Sequence, residues 1–274
     1  MFTDFVYSTP TWLWGSIFMV FLCGSACAGL VVFDRLVHVD IRRAHNELAG
    51  FTVAVISVVY AVLLAFIAIA TWESYTTAED VVQSEADYVG ALYRDTLGLP
   101  GQMGQDVRND LELYVQTVIH QEWPVQHEGV MPHRGWEPLG RLHLAIVRMQ
   151  PKTIGEGVIQ GEMLKTLNDL YRARESRLSA AEGHIPDVIW WIIFLGGALV
   201  TAFTYLFGFH DLRMHMVMTA AVAASMGFVV VLIIALDWPF RGQVSIAPDA
   251  FVKVERSWTA LAPTAETGNP QATR

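Results

Sequence analysis

The sequence is short of positive charge, of cysteine and, over one long interval, of proline. Its 18 Lys and Arg against 27 Asp and Glu leave a net charge of −9. No basic stripe emerges, which excludes a nucleic-acid partner held through phosphate contacts. Cys23 and Cys27 stand four apart inside an apolar run. Two cysteines on one helix face, with no His or carboxylate beside them, make neither a disulfide framework nor a metal centre, and are expected as small packing residues. No proline falls between Gly50 and Leu99, so nothing forces a helix to break there. The first ten residues hold Asp4 but no Lys or Arg, so the basic start of a cleaved signal peptide is missing. G-x-S-x-G, HExxH and Gly-rich phosphate loops are all absent. No enzyme activity, catalytic residue, metal or cofactor is therefore expected.

What is abundant is apolar surface: 53% of the residues are hydrophobic and the mean hydropathy is +0.36, too apolar for a soluble domain of this length. Four runs stand out, at 11–33, 50–72, 187–209 and 216–236, each long enough to cross the roughly 30 Å hydrocarbon core as a helix. Apart from Asp187, the first residue of the third run, no charge lies inside them, which argues against a proton pump or a voltage sensor. Small residues, such as Gly24 with Ala28 and Ser25 with Gly29, mark seams for close helix packing. The second run passes without a break into an acidic stretch with Glu73, Glu79, Asp80, Glu85 and Asp87. The pattern predicts one helix over 50–97 that leaves the membrane and continues into water.

The fold class expected is an all-α membrane protein, four transmembrane helices with an extracytoplasmic helical domain between spans 2 and 3. The divisions fall at 1–72 (spans 1 and 2), 73–185 (the external domain), 186–240 (spans 3 and 4) and 241–274 (a C-terminal segment with a loose Thr/Ala/Pro-rich end from residue 262). Helical periodicity appears over 102–122, 139–149 and 157–181, with 124–138 as a Pro/Gly-bearing connection. Arg35, Arg42 and Arg43 in the short 34–49 loop place that loop in the cytoplasm, and hence both termini outside.

Two separated blocks carry a family resemblance. The first is Asn46-Glu47, Tyr60 to Phe66, Trp72-Glu73, Ala78, Glu85-Ala86 and Leu92-Tyr93-Arg94. The second is Leu236-Asp237-Trp238-Pro239-Phe240-Arg241-Gly242, followed by Val244 and Pro248-Asp249-Ala250-Phe251. Together they resemble the bacterial bestrophin-like family over residues 40–255. Arg241 departs from the small residue expected there and sets a positive charge near Asp237. The resemblance implies a homo-oligomeric anion channel of four membrane helices in the bacterial inner membrane, with the lipid bilayer, itself and inorganic ions as partners. The charge around the expected mouth is mostly negative, so the ion stays undecided.

The candidate residues follow from the spans. Ser57, Tyr60 and Thr71 are polar residues of span 2, able to line a water-filled path or to bond between helices. Glu73, Asp80, Glu85 and Asp237, repeated around a symmetric oligomer, would make carboxylate rings that concentrate cations; alternatively they form a solvated face salt-bridged to Arg94, Arg172, Arg174 and Arg177. His38, Asp40, His45, Glu47, His210, Asp211 and His215 match no metal-binding spacing. The leading function is an ion channel or pore. The rival is a non-conducting scaffold or sensor whose external domain binds a partner.

Overall fold

The computed structural model describes residues 6–261, and every described element is helical. In chain order these are α1 (Thr11–Leu36), α2 (Val39–Arg43), α3 (Asn46–Thr96), α4 (Gly101–Thr117), a π-helical turn (Val118–Glu122), α5 (Trp123–His127), α6 (Trp136–Val147), α7 (Ile154–Glu182), α8 (Asp187–Thr204), α9 (Leu212–Leu236) and α10 (Asp249–Leu261). As the absence of proline predicts, α3 is one helix of 51 residues. Four stretches are long and apolar enough to cross a membrane, lying in Thr11–Leu36, Asn46–Thr96, Ile154–Thr204 and Leu212–Leu236. The loose tail expected from residue 262 lies outside the described residues. The chain divides into two compact units, Met1–Thr77 with Glu182–Ile246, and Ala78–Ala181 with Ala247–Arg274, with α3 contributing to both.

In the first unit small residues let the spans approach. A Cβ at Gly227 on α9 would lie 2.6 Å from the Met19 sulfur on α1, and one at Gly15 would touch Val231. The cysteines belong to this seam: the Cys23 and Cys27 Sγ atoms sit 3.7 and 3.6 Å from the carbonyls of Ala220 and Met216. On the other side α8 packs on α3 where Gly196 and Gly197 leave room for Tyr60, whose hydroxyl donates to the Ile193 carbonyl at 2.6 Å. Tyr60, Leu64, Ile193, Val200, Val230 and Ile233 form the core between them. The third span ends at Thr204, earlier than the apolar run suggests, because the chain turns to pack Gly208 against the 34–49 loop. A Cβ at Gly208 would come within 2.6 Å of the Arg43 amide nitrogen. The Asn46 side chain closes this turn, accepting from the Gly208 N–H at 2.8 Å and donating to its carbonyl at 3.3 Å. Arg42 is buried there, ion-paired with Asp34 and donating to the carbonyls of Tyr205 and Phe207, both at 3.3 Å.

The second unit is a helical bundle. Ala78, Val82, Ala86, Val89 and Leu92 of α3 meet Val107 and Leu111 of α4, Leu139, Leu142 and Ile146 of α6, and Met163, Leu167 and Leu170 of α7 in the core. The 124–138 connection is partly helical. The π turn just before Pro124 has a local cause: proline has no N–H to give the carbonyl four residues back and its ring crowds it, and a wider turn relieves both. Helix α10 also belongs to this unit, with Phe251 buried edge-on to Trp123 at 5.8 Å and Trp258 stacked on Tyr93 at 4.5 Å. The 241–274 segment thus contributes core residues that its sequence, read as a trailing piece, does not advertise.

Candidate functional site: the open face of the long helix

Helix α3 uses one face for its own chain and leaves another open. Within the first unit Tyr60, Leu64 and Thr71 are buried, whereas Val55, Val59, Val62, Phe66 and Ile69 are exposed, with Val59 at 66% and Phe66 at 68%. These five alternate by four and three residues, the spacing of a single helix face. Continuing that spacing reaches Glu73, also exposed. Flanking side chains such as Phe51 and Val58 are open too, as expected of a membrane helix facing lipid. In the second unit, Asp80, Ser84 and Asp87 are exposed on α3 while its apolar residues face the bundle.

The sequence-predicted residues therefore part company. Glu73 and Asp80 lie open and Ser57 is half-buried. Tyr60 points into α8, and the Thr71 hydroxyl bonds back to the Ile67 carbonyl at 2.8 Å, a local bond that satisfies it within its own helix. Glu85 is fully buried in the second unit and lines no surface of this chain. Of the motif residues, Asn46 closes the Gly208 turn and Glu47 is exposed. Trp72 is open and stacked with Tyr75, and Arg94 is exposed. The C-terminal motif is a tight corner. Phe240 is buried, the Pro239 carbonyl accepts from the Ile246 N–H at 2.8 Å, and Gly242 adopts φ +80° with Tyr7 close by, where a side chain would be strained. Arg241 lies over the rings of Tyr7 and Trp238, at 5.4 and 5.3 Å, which gives its charge an aromatic setting.

Glu85 belongs to a buried charge cluster. It accepts from Arg177 Nε at 2.6 Å and from the Tyr114 hydroxyl. Glu122, at the end of the π turn, takes Arg174 in a two-pronged pair at 2.6 and 2.8 Å, Arg177 at 3.2 Å, and the Gly135 N–H at 2.7 Å. Arg177 also donates to Gln126 at 2.7 Å, and the two guanidiniums lie over Trp136 and Trp123 at 4.8 and 5.2 Å. Two acids and two bases balance, so the cluster buries no net charge. Burial alone would raise the Glu122 carboxyl, but the Arg174 hydrogen bond and the charges of Arg174 and Arg177 outweigh it and hold the group below its usual range. Burial, with the Glu85 charge beside it, pushes the Tyr114 hydroxyl far up. Sequence reading named Glu85, Arg174 and Arg177 as possible partners but missed Glu122; the Trp-Pro step that follows it is the one local signal. Arg172 stays at the surface with Asp169 at 2.8 Å.

Asp237 caps the end of α9 in a cleft. Its Oδ1 accepts the Ile185 N–H at 2.7 Å, and the neighbouring His184 ring stacks on Trp238 at 5.2 Å. Burial raises its carboxyl to about 6, against the Ile185 hydrogen bond and the His184 charge, which lower it. Among the described residues no group of His, Cys, Asp and Glu is arranged to hold a metal ion.

Comparison with known proteins gives the family. Among curated proteins none matches this chain. Solved structures do match at the level of fold. A bacterial Bestrophin homolog from Klebsiella pneumoniae carrying a point substitution superposes with a TM-score of 0.63 at 14% identity, over 89% of this chain and 99% of that one. A second substituted form gives 0.64 at 14% over 88% and 99%, and a structure of the homolog phased from zinc gives 0.62 at 13% over 88% and 97%. A family model described as the Bestrophin-like domain matches residues 20–251. With that match covering most of its length, this multi-pass membrane chain belongs to the Bestrophin-like family.

Proposed function

We propose that the chain is the subunit of a homo-oligomeric ion channel of the bacterial cytoplasmic membrane, with the open face of α3 turned to the axis. The observation that carries this reading is the unpaired stripe Val55, Val59, Val62, Phe66, Ile69 and Glu73. Its apolar part belongs to the uncharged run 50–72, and it ends in a carboxylate that is exposed among the described residues. Around a symmetry axis the apolar side chains make a narrow constriction of the kind that gates by dewetting, and Glu73 becomes a ring of negative charge at its end. Tyr60 and Thr71 support this helix from behind, and Glu85 holds the second unit together.

Reversal potentials under a salt gradient in reconstituted bilayers test the reading. The cation-to-anion permeability ratio is expected to fall in the order Glu73, Glu73→Gln, Glu73→Lys, with differences that shrink at high salt as the charges are screened. One unchanged selectivity in all three would remove Glu73 from the path. A reconstituted chain that carries no current would favour the scaffold or sensor reading.

A further inference from the structure

The Asp237 cleft, of about 420 Å³, is walled by Leu63, Phe66 and Ile67 of α3 and by Ile189 of α8. It is polar only at one end, where Asp237, His184, Ser74 and Thr71 lie. Asp237 is 8% exposed. Only its contact with the Ile185 N–H is a direct hydrogen bond, and among the described residues no Lys or Arg forms a salt bridge with it. A carboxylate so enclosed is costly to keep charged, and the His184 charge offsets only part of that cost, since the carboxyl still rises to about 6. A metal ion does not suit the site, because one carboxylate among apolar walls falls far short of the six or so oxygen ligands that hard divalent cations take. A compact monovalent cation with N–H donors and an apolar tail matches both ends.

We propose that this cleft binds a primary ammonium amphiphile, its ammonium on the Asp237 carboxylate and its aliphatic tail along Leu63, Phe66, Ile67 and Ile189. The titratable groups that interact with the carboxylate are His184 on the approach to α8 and Tyr7 ahead of α1, and Arg241 beyond α9 acts on Tyr7. Because burial raises Asp237 to about 6, the carboxylate is charged at pH 7.5 and largely protonated at pH 5. Ammonium binding therefore strengthens as pH rises across that window. The two sources of such a group are a free alkylamine and the headgroup of an aminolipid. Phe66 also belongs to the open stripe of α3, so an occupied cleft touches the helix assigned to the ion path. The binding itself does not depend on conduction.

The test uses the full chain in phosphatidylcholine nanodiscs, titrated calorimetrically with hexylamine at pH 7.5. Saturable binding of one hexylamine per chain is expected, with hexanol and hexanoate at least tenfold weaker and hexylamine itself at least tenfold weaker at pH 5. Asp237→Asn is expected to weaken hexylamine at least tenfold. Ala70→Phe, which fills the cleft and keeps the carboxylate, is expected to abolish binding. Melting curves from tryptophan fluorescence establish that each variant is folded. Exchanging half the lipid for phosphatidylethanolamine identifies the source: a tenfold weaker hexylamine titration marks the aminolipid as occupant, an unchanged one the free amine, and both uphold the site. Equal binding of hexanoate, undiminished binding to folded Asp237→Asn, or no saturable binding overturns the proposal. Since the readout needs no current, a non-conducting chain that binds hexylamine refutes the channel reading alone.

Discussion

Removing one arginine from the buried cluster is the sharpest test of how the second unit is held. Arg177 is fully buried and donates to Glu85 at 2.6 and 3.3 Å, to Glu122 at 3.2 Å and to Gln126 at 2.7 Å. Arg177→Met keeps the apolar stem and removes the charge, leaving Glu85 with the Tyr114 hydroxyl and the more distant Arg174 at 3.9 Å. Breaking a buried pair by deleting one partner costs about 3–5 kcal/mol, because the remaining charge stays uncompensated. Since a factor of ten corresponds to roughly 1.4 kcal/mol, amides of the unit's core exchange about 10²- to 4 × 10³-fold faster where exchange proceeds through opening of this unit. Hydrogen exchange by mass spectrometry on peptides from α4 and α7 measures this, with α9 as an internal reference. The double variant Glu85→Leu with Arg177→Met removes both charges together and is expected to recover at least half of the loss, the coupling a double-mutant cycle isolates. Exchange within threefold of wild type in Arg177→Met would refute the argument, as would a double variant less protected than the single one by the sum of both losses.

Gly196→Val is expected to lower the melting temperature of the chain in detergent by the equivalent of about 1–3 kcal/mol, because a Cβ there meets the Tyr60 ring at 2.5 Å and forces it out of place; an unchanged melt would mean the α3–α8 seam is looser than described. For Asp237 the folded carboxyl lies at about 6, above its usual value near 4, so its contribution to stability is present below that usual value and is lost as pH rises through about 6. Melts between pH 4 and pH 7 should show this slope in wild type and lose it in Asp237→Asn. Single cysteines replacing Arg43 and Lys152, in a chain lacking Cys23 and Cys27, should react with impermeant reagent from opposite sides of the membrane, since the one apolar run 50–72 separates Arg43 from the acidic half of α3. Labelling of both from one side would remove α3 from the spans.

Composition and periodicity determined the class of this protein by themselves. Four uncharged runs of about twenty residues have no stable place except a bilayer, and a proline-free interval that turns from apolar to acidic propagates as one helix, which α3 does. The same local chemistry made Gly29 and the cysteines of α1 legible as packing residues, whereas Gly24 and Ala28 are exposed, with open space beside Gly24. Side-chain direction was not legible, because a carboxylate on an amphipathic helix looks the same whether it faces water or a buried guanidinium. Only tertiary structure decides that Glu85 meets Arg177, which lies 92 residues further along the chain, while Glu73 is left open. Glu122 was missed for the same reason: its turn is set by Pro124, but its partners come from α7. Orientation was weakened by packing as well. The rule that counts loop arginines assumes they face the aqueous phase, and Arg42 is buried against Asp34 and the carbonyls of Tyr205 and Phe207. Short-range rules located the four helices long and apolar enough to cross a membrane. Which charges stay free was settled by contacts between residues far apart in sequence, where burial makes an unpaired charge too costly to keep.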